Sequence, residues 1–292
     1  MDASVRARLE RLLGTGVSQA RSLGGQHGVT HLRLTTADGR AAFAKVASFP
    51  SDGEGNGDLS GLAAEAAGLQ WLAEAGAVPV PAVLACDPAC LVLEWVEPGG
   101  ANAEAAAQFG RDLAALHRFG AERFGAPWPG TIAGLPLPND EADRWPDWYA
   151  ANRLLPYVRI ARDAGSLSAA DARLVADAAG HAARMAGPDE PPSRIHGDCW
   201  SGNVLWSGGR GWLIDPAAHG GHRETDLAML GLFGAPHLDR IMAAYQDVAP
   251  LADGWRSRVR LHQLHPLLVH VCLFGSSYRD ATLSAARAVL AA

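Results

Sequence analysis

A single lysine, Lys45, stands in a chain of 292 residues whose other strongly basic side chains are all arginine. No run of Lys and Arg occurs, and the formal net charge is −6. A broad nucleic-acid footprint needs clustered positive charge, so that class is excluded. Cysteine is scarce as well: Cys86, Cys90, Cys199 and Cys272 are the full set. Cys86-x-x-x-Cys90 lacks the second pair of a zinc knuckle, so buried or incidental thiols are expected. No uninterrupted apolar stretch approaches the ~18 residues a membrane-spanning helix needs. Asp2, Arg6, Arg8, Glu10 and Arg11 break any apolar N-terminal stretch of signal-peptide type. By elimination the expectation is a cytoplasmic protein with neither membrane nor nucleic-acid partners.

What is present reads as globular. Hydrophobic residues make up 48% of the chain and charged ones 19%, a balance that buries a core. The length allows one large domain or two lobes. After an opening helix (about 3–14), Gly24-Gly25-Gln26-His27-Gly28 suggests a flexible turn. Two β-type runs follow, Val29 to Leu34 and Arg40 to Val46, joined by the hairpin signal Asp38-Gly39. The Gly-, Asp- and Ser-rich stretch from Ser48 to Leu59 reads as a mobile loop. A helix over 60–75 places Leu62, Leu69 and Leu72 on one face. Further β-type runs span Ala82 to Ala85 and Leu91 to Val96, ending at Pro98-Gly99-Gly100. From there the pattern is helical, with helices near 103–117, 146–161, 168–186, 224–233, 237–247, 255–274 and 283–291. A strand-like island from His196 to Asp215 interrupts them. The expected fold is α+β, with a small β-rich lobe over 1–97 and a large, mostly helical lobe over 98–292.

The polar residues fit phosphoryl transfer from a nucleotide. That chemistry needs charge neutralisation at the phosphates, a cation to hold them and a carboxylate to orient the attacking hydroxyl. Asp198 and Asn203 lie five apart in His196-Gly197-Asp198-Cys199-Trp200-Ser201-Gly202-Asn203. This spacing lets the Asp face an acceptor hydroxyl while the Asn amide oxygen turns to a metal. Asp215 closes the run Trp212-Leu213-Ile214, where a second hard-oxygen ligand for magnesium belongs. Lys45 sits in the β-type run Ala42 to Val46, and Glu65 on the next helix could hold it towards the phosphates. Arginine everywhere else implies that a compact ammonium is required at position 45.

Glu94, Trp95 and Val96 precede Pro98-Gly99-Gly100 and could pair their backbone with an adenine edge. Gly24 and Gly25 could cover the phosphates. Thr225 or Asp226 could cap the helix that opens at 224. Asp226 could instead accept hydrogen bonds from the catalytic-loop backbone, the preferred reading. His262, His265 and His270 lie on an apolar helix without a carboxylate partner and read as core or rim residues.

The same residues resemble the fructosamine kinase (ketosamine 3-kinase) family. The likeness rests on His196 to Asn203, Ile214 to Ala217, Gly221 to Met229 and Leu232 to Gly234. Ala63 to Leu69, Leu91 to Trp95, Gln263 to His270 and Leu273 to Tyr278 extend it over almost the whole chain. The resemblance implies a protein-kinase-like fold and ATP-dependent phosphorylation of the 3-hydroxyl of ketosamines, small-molecule or protein-bound; a monomer is the expectation for the assembly. It implies Asp198 as catalytic base, Asn203 and Asp215 as Mg2+ ligands, and Lys45 with Glu65 as the ion pair of the ATP site. It implies a sugar pocket lined by Trp200, to which His219 and His222 are added as substrate contacts, with His196 and Asp226 in support. Two departures stand out. Gln26-His27-Gly28 replaces the usual phosphate-loop pattern and carries no thiol, so control through a loop disulfide is not expected. Cys199 stands where leucine is usual, a change at the level of packing. A kinase for aminoglycosides or amino alcohols and a nucleotide-binding pseudoenzyme are the rival expectations.

Overall fold

The computed structural model describes residues 2–26, 28–47 and 60–292. His27 of the expected phosphate loop and the Gly-rich run from Ser48 to Leu59 lie outside these residues.

The chain opens with α1 (Ala3–Leu13), whose start is capped by the Asp2 side chain and whose end is turned by Gly14 at φ 64°. Next come β1 (Val17–Gln26), β2 (Val29–Thr36), β3 (Ala41–Ala47), α2 (Ser60–Glu74), β4 (Val83–Asp87) and β5 (Cys90–Glu94). The five strands form one antiparallel sheet in the order β1-β2-β3-β5-β4. Strand β3 is therefore central, and its register sets Lys45 opposite His31 on one side and Leu91 on the other. Alternation explains the layers. Leu32, Leu34, Ala42, Ala44 and Val92 pack against Leu9 of α1. Leu91 and Leu93 pack against Leu62, Ala66 and Leu69 of α2. Helix α2 is thus pressed onto the sheet face from which Lys45 projects.

The sequence reading missed β1. All but two of its ten positions are exposed, so no two-residue alternation of apolar side chains marks it. Gly24 and Gly25 are consequently not in a turn: they are rungs of β1, opposite His31 and Thr30. A Cβ at Gly25 would stand 2.3 Å from the Val29 carbonyl oxygen, so only glycine fits there.

The larger part begins with α3 (Ala103–Phe119), capped by Asn102 onto the Ala105 amide. It continues through β6 (Gly130–Ile132), β7 (Leu135–Leu137) and α4 (Trp145–Tyr149), a π-helical turn over Ala150–Leu154, and α5 (Leu155–Asp163). Helices α6 (Ala169–Gly180) and α7 (Ala182–Met185) lead to β8 (Ser193–Ile195). Then come the hairpin β9 (Val204–Ser207) and β10 (Arg210–Leu213), β11 (His219–Gly221), α8 (Glu224–Phe233), α9 (Leu238–Val248), α10 (Trp255–Phe274) and α11 (Arg279–Ala291). Two cores fill it. One gathers α4 to α6 against α10 and α11. The other packs α3 and α9 against Val204, Trp206 and Leu213 of the hairpin, and includes Cys199. The hairpin is thereby anchored on helices, so the loop leading into it is held rigidly. Among the described residues no helix is long and apolar enough to cross a membrane.

Candidate active site

The loop from His196 to Asn203 is shaped by its backbone. Gly197 has φ 79°, and a Cβ there would fall 2.2 Å from the Ala217 carbonyl oxygen. Only glycine tolerates both the left-handed conformation and that approach. The buried Asp226 carboxylate then accepts the His196 amide at 2.8 Å and the Gly197 amide at 2.9 Å. His117 completes the group, with Nε2 at 3.2 Å from Asp226 and Nδ1 at 2.8 Å from the Tyr245 hydroxyl. Burial raises the Asp226 pKa, but hydrogen bonding from His117 and the nearby imidazoles outweighs it, and the group is held below its ordinary value. Neither Thr225 nor Asp226 caps α8, in contrast to one sequence expectation. Asp226 serves the loop, and the Thr225 hydroxyl lies 2.9 Å from His262 Nδ1.

His196 links this loop to the next. Its Nδ1 accepts the Asp198 amide at 3.2 Å, which leaves Nε2 to carry the proton and donate to the Ile214 carbonyl at 2.9 Å. Asp198 and Asp215 are positioned by one imidazole. The Asn203 amide nitrogen donates to the Asp198 carbonyl at 2.9 Å and to its Oδ2 at 2.7 Å. Its amide oxygen remains as a hard donor. Between them the turn Ser201–Asn203 closes tightly, and a Cβ at Gly202 would stand 2.3 Å from the Trp200 ring. Glycine at 202 therefore lets Trp200 fold back over its own loop.

From the sheet side, Lys45 reaches the same place. It is 6% exposed, and its Nζ donates to Glu65 Oε2 at 2.7 Å and to Asp215 Oδ1 at 2.8 Å. One ammonium between two carboxylates leaves the trio one charge negative. Burial lowers the Lys45 pKa, but Glu65 and Asp215 overcome this and hold it above its ordinary value. Burial pushes Glu65 upwards, with Lys45 pulling part of the way back. Asp215 itself adopts φ 53°, a left-handed conformation that costs a non-glycine residue of order 1–3 kcal/mol and is retained where surroundings impose it.

These groups converge on a cleft of about 690 Å³ lined by Lys45, Glu65, Asp198, Trp200, Asn203 and Asp215. Asp198 is partly open to the cleft, yet the protein packed around its carboxyl pushes its pKa up to about 7. The Asn203 hydrogen bond opposes that rise, and the charges of Asp215 and Asp226 add to it. A carboxylate poised near neutrality, beside an empty space and a hard-oxygen pair, is suited to accept a proton from a hydroxyl.

Several predicted residues stand elsewhere. Gln26 and Gly28 line the cleft, whereas Gly24 and Gly25 do not. Glu94, Trp95 and Val96 do not line it either. They form the exit from β5, where the Glu94 amide donates to Ala82 and the Trp95 indole to Glu97. His219 and His222 are 3% and 4% exposed and lie behind the His196–Asn203 loop instead of facing the cleft. His219 packs on Trp148, and His222 on Trp145 and His262. Aromatic neighbours and burial draw both inward, a placement that the motif's polar look conceals.

The rest of that motif is a brace. Arg223 binds both Glu190 oxygens at 2.7 Å, and Arg258 binds Glu224 at 2.6 and 2.9 Å. A carboxylate does stand near His262, whose Nε2 is 3.5 Å from Glu224. Ligand atoms of His222, Glu224 and His262 lie within 4.8 Å of one another. The Arg258 guanidinium holds both Glu224 oxygens, however, so a positive charge already stands where a metal ion would be needed. Sequence reasoning gave no signal for Trp128, Thr131 and Asn139, which the short β6–β7 hairpin brings to the cleft. Met229, His265 and Phe274 of the helical part also line it.

The family model described as fructosamine kinase matches residues 1–292. A candidate ketoamine kinase from Synechocystis sp. is 34% identical over 225 residues, covering 74% of each chain. The crystal structure of a candidate fructosamine-3-kinase from Thermobifida fusca YX-ER1 is 49% identical and superposes with a TM-score of 0.94 over the full length of both chains. A macrolide 2′-phosphotransferase from Brachybacterium faecium, 15% identical, shares the fold alone, with a TM-score of 0.62 over 97% of each chain. The fold is thus α+β, two-lobed and protein-kinase-like.

Proposed function

The chain belongs to the fructosamine kinase family, and from that premise we propose that it uses ATP to phosphorylate the sugar 3-hydroxyl of ketosamines. One observation carries the reading. Lys45, Glu65 and Asp215 meet Asp198 and Asn203 across a single cleft, the set that phosphoryl transfer requires. Asp198 orients the sugar hydroxyl and accepts its proton. Lys45, steadied by Glu65, holds the nucleotide phosphates, and Trp200 lines the sugar pocket. Residues 1–97 act as the nucleotide lobe, and residues 98–292 as the lobe for acceptor and catalysis. The free amide oxygen of Asn203 and the Asp215 carboxylate form a hard-oxygen pair that fits magnesium. Bound there, the ion would neutralise charge on the phosphates. Every group named lies in one chain, so a monomer suffices for this chemistry.

The test is ADP release, in a coupled assay, with ketosamines of lysine made from ribulose, erythrulose and fructose set beside an aminoglycoside and an amino alcohol. Turnover confined to the ketosamines is the expected result. Turnover of the other acceptors alone, or ATP binding with no turnover of any, would overturn the reading.

A further inference from the structure

The strand side of the cleft carries one ring that the chemistry above leaves unused. His31 lies on β2 directly opposite Lys45 of β3. Opposed residues of adjacent antiparallel strands point to the same face, and both of these line the cleft. On its other flank His31 faces Gly24 of β1, which has no side chain to lay over the imidazole. Phe43, the diagonal neighbour on β3, stands tilted against the ring with centroids 5.4 Å apart. The ring is thus half-buried, held on one side and open towards the cleft. Among the described residues neither of its nitrogens has a hydrogen-bond partner.

The space beside it is poor in cations. Among the described residues lining the cleft, Lys45 is the only Lys or Arg, and Glu65 and Asp215 each take one of its donors. The residues outside the description contain neither Lys nor Arg. An ammonium has three donors, so one remains for a phosphate chain that spreads its charge over many oxygens. His265 and His270, the other described histidines of the cleft, belong to α10 in the helical part. Of these three rings, only His31 stands on the sheet beside Lys45. Burial first, and the Lys45 charge second, hold its pKa below the ordinary value, with Asp215 opposing. The ring is therefore neutral near pH 7 and carries a proton on one nitrogen. A neutral donor adds a hydrogen bond to an anion without repelling the neighbouring ammonium.

We propose that His31 is a nucleotide-binding residue: its ring N–H donates to an oxygen of the phosphate chain, beside the contact made by Lys45. Sheet register creates the pair. A slip of one residue in β2 would turn the imidazole to the opposite face, where Leu32 and Leu34 pack against Leu9. The sheet thus brings a point charge and a directed hydrogen bond to one place. This rests on the ATP-dependent kinase reading above.

Titration calorimetry with ATP and magnesium, and separately with adenosine, reads the contact in three variants. His31→Ala removes the ring. His31→Phe keeps a ring to pack on Phe43 but has no donor, so it serves should alanine disturb the sheet. His31→Gln restores a neutral N–H. The Ala and Phe variants should bind ATP about tenfold to hundredfold more weakly, the range for a lost hydrogen bond to a charged group, with adenosine affinity unchanged. His31→Gln should recover most of that loss. ATP affinity within about twofold of the unaltered protein in the Ala and Phe variants, an equal loss for adenosine, or a Gln variant as weak as the Phe variant would each overturn the role of His31 while leaving the activity standing. No binding of ATP by the unaltered protein would overturn the kinase reading itself, and this inference with it.

Discussion

Asp198 shows how one residue's surroundings set its task. Burial lifts its carboxyl to about 7, against the pull of the Asn203 hydrogen bond. A base must be deprotonated to work, so kcat/KM for the acceptor should fall as pH drops through 7 and level off above it. Asp198→Asn should abolish that pH step and lower kcat by about 10² to 10⁴-fold, the usual worth of general-base positioning. Nucleotide affinity should stay close to its starting value, because Lys45 is held by Glu65 and Asp215 and not by Asp198. Titration calorimetry with ATP and steady-state rates from pH 6 to 9 separate the two effects. Near-normal turnover in the variant, or a pH profile flat through 7 in the unaltered protein, would remove Asp198 from the role. That Asp198, Asn203, Asp215, Lys45 and Glu65 belong together, as their shared cleft shows, was legible in the sequence, because residue type and spacing mark them out. His219 and His222 misled, because a Gly-His-rich motif looks polar while its rings turn to Trp148 and Trp145.

Helix α10 is an element whose integrity depends on a distant residue. Pro266 lies inside it. Proline has no amide hydrogen, so the His262 carbonyl four residues earlier loses its helical donor. The Tyr149 hydroxyl fills the gap, donating to His262 O at 3.1 Å and Leu261 O at 3.0 Å in a fully buried setting. Tyr149→Phe removes the donor and leaves the His262 carbonyl unsatisfied, at a cost of about 1–3 kcal/mol. Chemical denaturation should show the midpoint falling with the slope unchanged. An unfolding free energy within about 0.3 kcal/mol of the original, below even the low end of a lost buried hydrogen bond, would mean that another donor serves that carbonyl. Such pairings were invisible in the sequence. Tyr149 and His262 are remote along the chain, and the π-helical turn that follows Tyr149 has no signature in its residues Ala150 to Leu154. Longer elements were plain, since α3, α8, α9 and α10 lie within a few residues of where periodicity set them. The strands of β6 and β7, three residues each, are too short for any alternation to register.

At the scale of the whole molecule, the interior holds an unusual store of imidazole. His196, His219, His222, His262 and His265 are all at most 4% exposed. Burial is the first cause that lowers each of their pKa values, taking His222 to about 3. Unfolded, each would titrate near 6.5 and bind a proton that the folded state refuses. Stability is therefore complete above that pH and is lost as pH falls below it. Each such group contributes a loss of about 1.4 kcal/mol per pH unit once the unfolded chain is protonated. Asp198 and Glu65 act in the opposite sense. Their raised pKa values let the folded state bind protons first, which adds stability as pH falls from about 7 towards 4. Two such carboxylates set against five histidines leave a net loss. Glu224, depressed to about 2 by His262 and Arg258 against the pull of burial, keeps its contribution until the pH is well below 4.5. The melting temperature should thus decline steadily between pH 6.5 and 4.5, where the histidines outweigh Asp198 and Glu65 and the remaining carboxylates have yet to titrate, in a calorimetric scan at constant ionic strength. His222→Gln, which keeps a neutral polar side chain at that position, should flatten the decline by about one proton's worth. A melting temperature unchanged across this interval, or a variant with the same slope as the unaltered protein, would show that the buried imidazoles accept protons without unfolding. The brace of Glu224, Arg258 and His262 beneath the catalytic loop would then be the place to look for the acceptors.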